Sequence, residues 1–256
     1  MPTVKSALSG SGFLLHSKVV YPSSHIRVKV RSDIFWHKLQ LGEWEPRPIQ
    51  LILKTVKEGD NILDIGAMNG PYTLLLSKLV GSEGRVYAFE PDPRARSILL
   101  QNLAANDSTN VCVEALCVSN ARGKVVLSEP SDLGGSTILQ HLGGKTSAQI
   151  MVDATTIDHY CEEKGIAPVG MKIDVEGAEA MVLEGAEEVI KRHSPWILLE
   201  YHGVFMSEKE NELNWKRVTK YARRMIFVAG DSKSCSQGDE IVAMTDCSYF
   251  HVLLEH

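Results

Sequence analysis

The sequence predicts an α/β fold: an open, mostly parallel sheet with helices on both faces. From Asn61 onward, short aliphatic runs alternate with longer helical patterns, and most of these runs end in polar or acidic residues. A glycine-bearing turn, Asp64-Ile65-Gly66-Ala67-Met68-Asn69-Gly70, follows the first run. Such alternation lets each helix cross back over the sheet and cover one of its faces. At 256 residues, with 44% hydrophobic and 23% charged content, the chain suits one well-buried domain. That composition excludes a disordered chain or a disulfide-stapled miniprotein.

Residues 1–55 form an N-terminal extension in which His25 to Arg31 alternates apolar and polar, predicting a half-exposed strand within a lid over the strand ends. The main domain then runs over 56–256. Its strands are predicted at Asn61 to Ile65, Arg85 to Glu90, Val111 to Val118, Met171 to Val175 and Trp196 to Tyr201. Their lack of strict alternation fits burial on both faces. Pro71 opens a helix after Gly70, and Gly81 closes it. Ala178, Met181, Val182, Ala186, Val189 and Ile190 recur at helical spacing and predict one amphipathic helix that Ser194-Pro195 stops. Met225 to Ala229 and Tyr249 to Glu255 read as an antiparallel pair at the sheet edge. Lys216, Arg217, Lys220, Arg223 and Arg224 read as the solvated end of a helix.

A net charge of -5 gives no global positive field, so nucleic acid is not an expected partner. The five cysteines are scattered and never spaced C-x-x-C, which predicts reduced thiols and a cytoplasmic protein. Phe13-Leu14-Leu15 is too short for a signal-peptide core, and no run approaches the roughly 20 apolar residues of a membrane span. A soluble protein with no membrane partner is the expectation.

Ligands of open α/β sheets bind outside the carboxyl ends of the strands, where the first strand-to-helix turn approaches the cofactor through glycine. Glu90 ends the second strand, 26 residues after Asp64, where a carboxylate can accept both hydroxyls of a ribose. A dinucleotide fingerprint would be G-x-G-x-x-G, holding a pyrophosphate on backbone N–H groups. Here the spacing is Gly66-x-x-x-Gly70, with Asp64 before it. A carboxylate would repel a pyrophosphate but suits the ammonium group of a methionine moiety. S-adenosylmethionine is therefore favoured over NAD. A nucleotide-dependent oxidoreductase and a non-catalytic cofactor-binding module remain the alternatives.

Four segments then carry a resemblance, over roughly 42–203, to the FkbM family of S-adenosylmethionine-dependent methyltransferases. They are Gly42-Glu43-Trp44-Glu45-Pro46, Leu63 to Thr73, Tyr87-Ala88-Phe89-Glu90-Pro91-Asp92, and Lys172-Ile173-Asp174-Val175-Glu176-Gly177-Ala178-Glu179. The resemblance implies a Rossmann-like class I methyltransferase sheet of seven strands ordered 3-2-1-4-5-7-6, the seventh antiparallel. It also implies O-methylation of a hydroxyl on a sugar or secondary metabolite. Relatives commonly place Asn where this chain has Met68, so against the resemblance a polar contact in the loop is either missing or supplied by Asn69. It further suggests that Glu45 reaches the cofactor.

Methyl transfer from a sulfonium needs an aligned nucleophile and, for a hydroxyl, a proton acceptor. Asp174 with Glu176, and Glu200 with His202, are each spaced i, i+2, so each pair can point the same way off a strand end. His202 is the preferred base because its ordinary pKa lies near neutrality, with Asp174 or Glu200 orienting the ring; Asp174 could take the proton itself. Glu176 reads as the N-terminal residue of the following helix. The predicted cofactor contacts are Glu45, Asp64, Gly66, Ala67, Asn69, Gly70, Glu90, Pro91, Ser136 and Asp174, with Ser136 and Thr137 following Gly134-Gly135. The carboxylates and histidine are also of a kind that can hold a divalent cation, but no dedicated metal spacing is present, and no metal ligand is assigned.

Overall fold

The computed structural model describes residues 16–31, 34–129, 136–138, 148–230 and 250–255. The N-terminal part is a hairpin, β1 (His16–Val20) and β2 (Arg27–Arg31), followed by α1 (Ile34–Leu41) and α2 (Pro46–Thr55). Then come β3 (Asn61–Ile65), α3 (Pro71–Val80), β4 (Arg85–Phe89), α4 (Pro93–Ala105), β5 (Val111–Glu114), β6 (Leu116–Val118), β7 (Gly123–Glu129) and β8 (Ala148–Thr155). The remainder is α5 (Ile157–Lys164), β9 (Gly170–Ile173), α6 (Glu179–Glu184), α7 (Glu187–His193), β10 (Trp196–Tyr201), α8 (Glu208–Thr219), β11 (Arg224–Gly230) and β12 (Phe250–Glu255).

The main sheet has seven strands in the order β11-β12-β10-β9-β3-β4-β5, with β12 antiparallel to both β10 and β11. This is the 3-2-1-4-5-7-6 arrangement, with β12 wedged between β10 and the edge strand β11. β3, β4, β5, β9 and β10 run parallel. Leu63, Ile65, Met171, Ile173, Leu199, Tyr201, Phe250 and Val252 face a core closed by residues of α5, α6, α7 and α8. Ile62, Val86, Ala88 and Leu198 face the opposite way, into a core shared with α2, α3, α4 and the hairpin.

Two elements differ from the sequence expectation. The run Val111 to Val118 is two strands: β6 leaves the main sheet to pair with β8 in a three-stranded sheet, β6-β8-β7. Both halves are apolar, so hydrophobicity does not mark the change of sheet. The helix expected from Ala178 to His193 is two, α6 and α7, because Gly185 packs on the chain at Ser119. A Cβ at Gly185 would lie 2.2 Å from the Ser119 carbonyl oxygen. The N-terminal region, expected as an extension or lid, shares a core with the elements that follow it. Val19, Tyr21, Val28, Val30, Trp36 and Ile52 pack with Leu74, Leu75, Leu76 and Leu99. Asn102 and Asn106 of α4 bond the backbone of β2 at Arg31 and Lys29.

Among the described residues no helix is long and apolar enough to cross a membrane. Cys112, Cys117 and Cys161 are free thiols, and Cys235 and Cys247 lie outside the described residues. Gly134-Gly135 lies outside them too.

Candidate active site

The glycine turn is held in the conformation only glycine adopts without strain. Gly66 has φ +86°, and a Cβ there would fall 1.7 Å from the Asp174 carbonyl oxygen. The absence of a side chain thus lets the β3 and β9 strand ends touch. Gly70, with φ +99°, is the residue before α3, and Pro71 starts that helix. Met68 also has a positive φ, +50°, a left-handed conformation uncommon for a residue other than glycine, asparagine or aspartate. Its backbone N–H donates to Glu90 Oε2 at 2.7 Å, and the Asp92 N–H donates to Oε1 at 2.8 Å.

A cleft opens beside this turn. Gly66, Met68, Glu90, Pro91, Asp92 and Ser136 line one part of it, Asp174, Val175 and Glu176 another, and Leu116, Cys117, Val118, Leu127 and Ile138 give an apolar wall. Burial pushes the Glu90 carboxyl up to about 8, although the two N–H donors pull it down. Ser136 donates to Asp92 Oδ2 at 3.0 Å, so it supports the wall by fixing its neighbour.

Period-two alternation places a polar row across the sheet. Asp64, Lys172 and Asp174, Glu200, and His251 all lie opposite the residues that face the α5–α8 core, with Asp64 paired to Lys172 and Glu200 to His251. Lys172 is 1% exposed; its Nζ lies 2.7 Å from Asp174 Oδ2, 3.6 Å from Glu200 Oε2 and 4.8 Å from the Tyr72 ring centre. Burial would lower its pKa, but Asp174 and Glu200 outweigh this and hold the ammonium charged. His251 Nε2 lies 3.2 Å from Glu200 Oε2 and 3.0 Å from Glu45 Oε2, to which Tyr72 also donates. Desolvation opposes its charge, yet the two carboxylates raise its pKa to about 9.

His202 follows β10. Its Nδ1 contacts Glu179 Oε1 at 2.7 Å, and Nε2 faces Glu176 Oε2 and Glu200 Oε1 at 3.7 Å and Asp174 Oδ1 at 3.8 Å. The Phe205 ring stacks on it, 5.7 Å away and 2° from parallel.

Several expectations are corrected. Asp64 does not line the cleft: it is buried on the α3 face, accepts from Thr73 Oγ1 at 2.5 Å, and has its pKa raised by burial. Asn69 is buried behind the turn, its carbonyl accepting from Asn102, while Ala67 and Gly70 shape the turn without reaching the cleft. Glu45 is engaged by Tyr72 and His251. Glu176 does not cap a helix: it has φ +54° in the turn before α6 and lines the cleft, and Glu179 instead accepts the Gly177 N–H. His202 is not poised near neutrality, since despite desolvation Glu179 and then Asp174 and Glu176 raise its pKa to about 10. Glu179, not Asp174 or Glu200, orients its ring. Lys172, Glu179 and His251 complete the cluster and were not singled out as site residues from the sequence.

With this geometry described, comparison with known proteins becomes informative. The family model of the methyltransferase FkbM domain matches residues 64–249. The chain belongs to the FkbM methyltransferase family. Over 65 residues it is 38% identical to a Saccharolobus solfataricus protein assigned as a decarboxylating cobalt-precorrin-6B C(15)-methyltransferase, a match spanning 25% of this chain and 33% of that one. Among solved structures, it is similar to an FkbM methyltransferase from Methylobacillus flagellatus, at TM-score 0.49 and 16% identity, over 89% of this chain and 56% of the other. A Clostridium thermocellum protein assigned as an rRNA methylase aligns at TM-score 0.51 and 16% identity, over 82% and 93% of the two chains. That alignment supports the class I methyltransferase fold. Family membership sets aside the oxidoreductase alternative.

Proposed function

We propose that this FkbM-family protein transfers the methyl group of S-adenosylmethionine to a hydroxyl oxygen of a small molecule or glycan, such as a sugar or secondary metabolite. One observation carries the reading: a single cleft runs from Glu90, at the end of β4, to Asp174 and Glu176, at the end of β9. A nucleoside laid along it would place its ribose diol against Glu90 and its base against the wall of Leu116, Val118 and Leu127. The sulfonium end would then meet the carboxylates, where positive charge is favoured. The cofactor supplies the electrophile; the protein holds the acceptor oxygen in line and receives its proton.

Of Asp174, Glu200 and His202, only Asp174 lines the cleft, with a side chain 24% exposed against 4% for the other two. Asp174 is therefore the proton acceptor in this reading. Lys172 fixes its position, while His202, held by Glu179, shapes the electrostatics behind it. Isothermal calorimetry with S-adenosylhomocysteine tests the cofactor, with micromolar binding expected. A screen of hydroxylated acceptors with labelled S-adenosylmethionine tests the transfer; binding without transfer to any acceptor would favour a non-catalytic module. Absence of binding at millimolar ligand would overturn the reading.

A further inference from the structure

We propose that Asp174, Glu176, Glu200 and His202 form a site for a divalent metal ion, probed by Mn2+, at the carboxylate end of the cleft. The residues stand on the page independently of the reaction, and only the ion's use rests on the methyltransferase reading.

The two strand carboxylates divide their oxygens between two sides. Asp174 Oδ2 and Glu200 Oε2 turn to Lys172, at 2.7 and 3.6 Å, whereas Asp174 Oδ1 and Glu200 Oε1 turn to His202 Nε2, at 3.8 and 3.7 Å. The lysine therefore does not occupy the side that faces the imidazole. Glu176 Oε2 joins that side at 3.7 Å. The ligand atoms of Asp174, Glu200 and His202 all lie within 4.8 Å of one another. Around an octahedral ion with bonds of about 2.1 Å, neighbouring ligands stand about 3 Å apart and opposite ones about 4.2 Å apart. The separations from His202 Nε2, 3.7 to 3.8 Å, fall between these, while Glu176 stands outside the group of three, so closure on an ion requires the carboxylates to draw in and the Glu176 side chain to turn toward them.

A second observation lies behind the imidazole. Glu179 is fully buried and contacts His202 Nδ1 at 2.7 Å, the carboxylate-to-histidine contact by which metal-binding rings are oriented and made more basic. Glu179 Oε1 also accepts the Gly177 N–H, and the other Glu179 oxygen, Oε2, is buried without a hydrogen-bond partner among the described residues. Asp174, Glu176, Glu179 and Glu200 thus surround the buried imidazole of His202 at the edge of the cleft. Three oxygens and one nitrogen suit a cation such as Mn2+, whose binding would displace the proton that His202 otherwise carries. In the proposed reaction, an ion here would bind the acceptor oxygen and stabilise its negative charge, and with the ion in place Asp174 would act as its ligand while the acidified hydroxyl loses its proton to solvent through the cleft.

The test is titration of chelator-stripped full-length protein with MnCl2, followed by calorimetry and by loss of the free Mn2+ electron paramagnetic resonance signal. One ion per chain is expected, weakened at least tenfold in Glu176→Gln and in His202→Ala, and changed less than twofold in Glu45→Gln. Glu176→Gln alters a partly exposed side chain, so it serves where His202→Ala fails to fold. No saturable Mn2+ binding in the wild type, or loss only in Glu45→Gln, overturns the proposal. S-adenosylhomocysteine binding by the stripped protein is measured in parallel: its retention without Mn2+ binding refutes the metal site while leaving the methyltransferase reading in place.

Discussion

Glu90 should make cofactor binding steeply dependent on pH. Its carboxyl is buried, which pushes its pKa up to about 8, and both of its oxygens already accept backbone N–H bonds. A ribose diol donates to the carboxylate, so binding selects the ionised form. With a pKa of about 8, roughly 1% of the carboxyl is ionised at pH 6 and about half at pH 8. S-adenosylhomocysteine affinity should therefore rise about 50-fold across that window, a difference of about 2.3 kcal/mol, with uptake of ligand releasing nearly one proton at pH 6. The apoprotein moves the opposite way. A raised carboxyl pKa contributes stability that is full below about 4.5 and is lost as pH rises through about 8, because the unfolded chain releases the proton first. Calorimetry at pH 6, 7 and 8, in two buffers of different ionisation enthalpy, reads both affinity and proton release. Glu90→Gln should bind more weakly at pH 8 with almost no pH slope. A wild-type affinity that is flat from pH 6 to 8, or a slope that survives in Glu90→Gln, would refute the assignment of Glu90 as the ribose carboxylate.

Gly66→Ala should destabilise the fold by about 3 kcal/mol, combining left-handed backbone strain with overpacking against the Asp174 carbonyl, and should abolish S-adenosylhomocysteine binding; urea melts and calorimetry measure the two effects. Lys172→Met removes the cation between Asp174 and Glu200 and should cost about 3–5 kcal/mol in the same melts, a loss under 1 kcal/mol showing that the carboxylates do not depend on it. Asp174→Asn should lower turnover of the acceptor found in the screen by about 100-fold or more, with a much smaller change in S-adenosylhomocysteine affinity; near-normal turnover would remove Asp174 from the proton-acceptor role.

Much of the architecture was legible because hydrophobic periodicity and glycine placement act locally. β3, β4, β9 and β10 are short apolar runs, and the C-terminal pair follows from two further runs, with the antiparallel order implied by the family resemblance. Gly66, Glu90, Pro91 and Asp174 could be placed in the cleft because a strand end fixes where its last residues lie. The second sheet was missed because β8 follows a long polar stretch and β6 continues β5 in composition. The position of Asp64 next to a glycine turn says nothing about which face of β3 it occupies; Ile65 lines the cleft, and Asp64 lies on the other face of β3, bonded to Thr73. Lys172, Glu179 and His251 depend on tertiary neighbours, although two carry a signal that could have been used. Lys172 and His251 are charged or titratable residues inside wholly apolar strands, and such residues are buried only with partners.

The wedged position of β12 bears on the order in which the molecule matures. Glu45 and His251 are 206 residues apart in sequence yet in contact, and β12 must pair with β10 for that contact to exist. During synthesis the glycine turn and Glu90 can take shape early, while Glu200 waits for its histidine until the final strand has emerged. A nascent chain could therefore acquire its nucleoside cleft before its reactive centre, which keeps an unfinished molecule from carrying a fully assembled site.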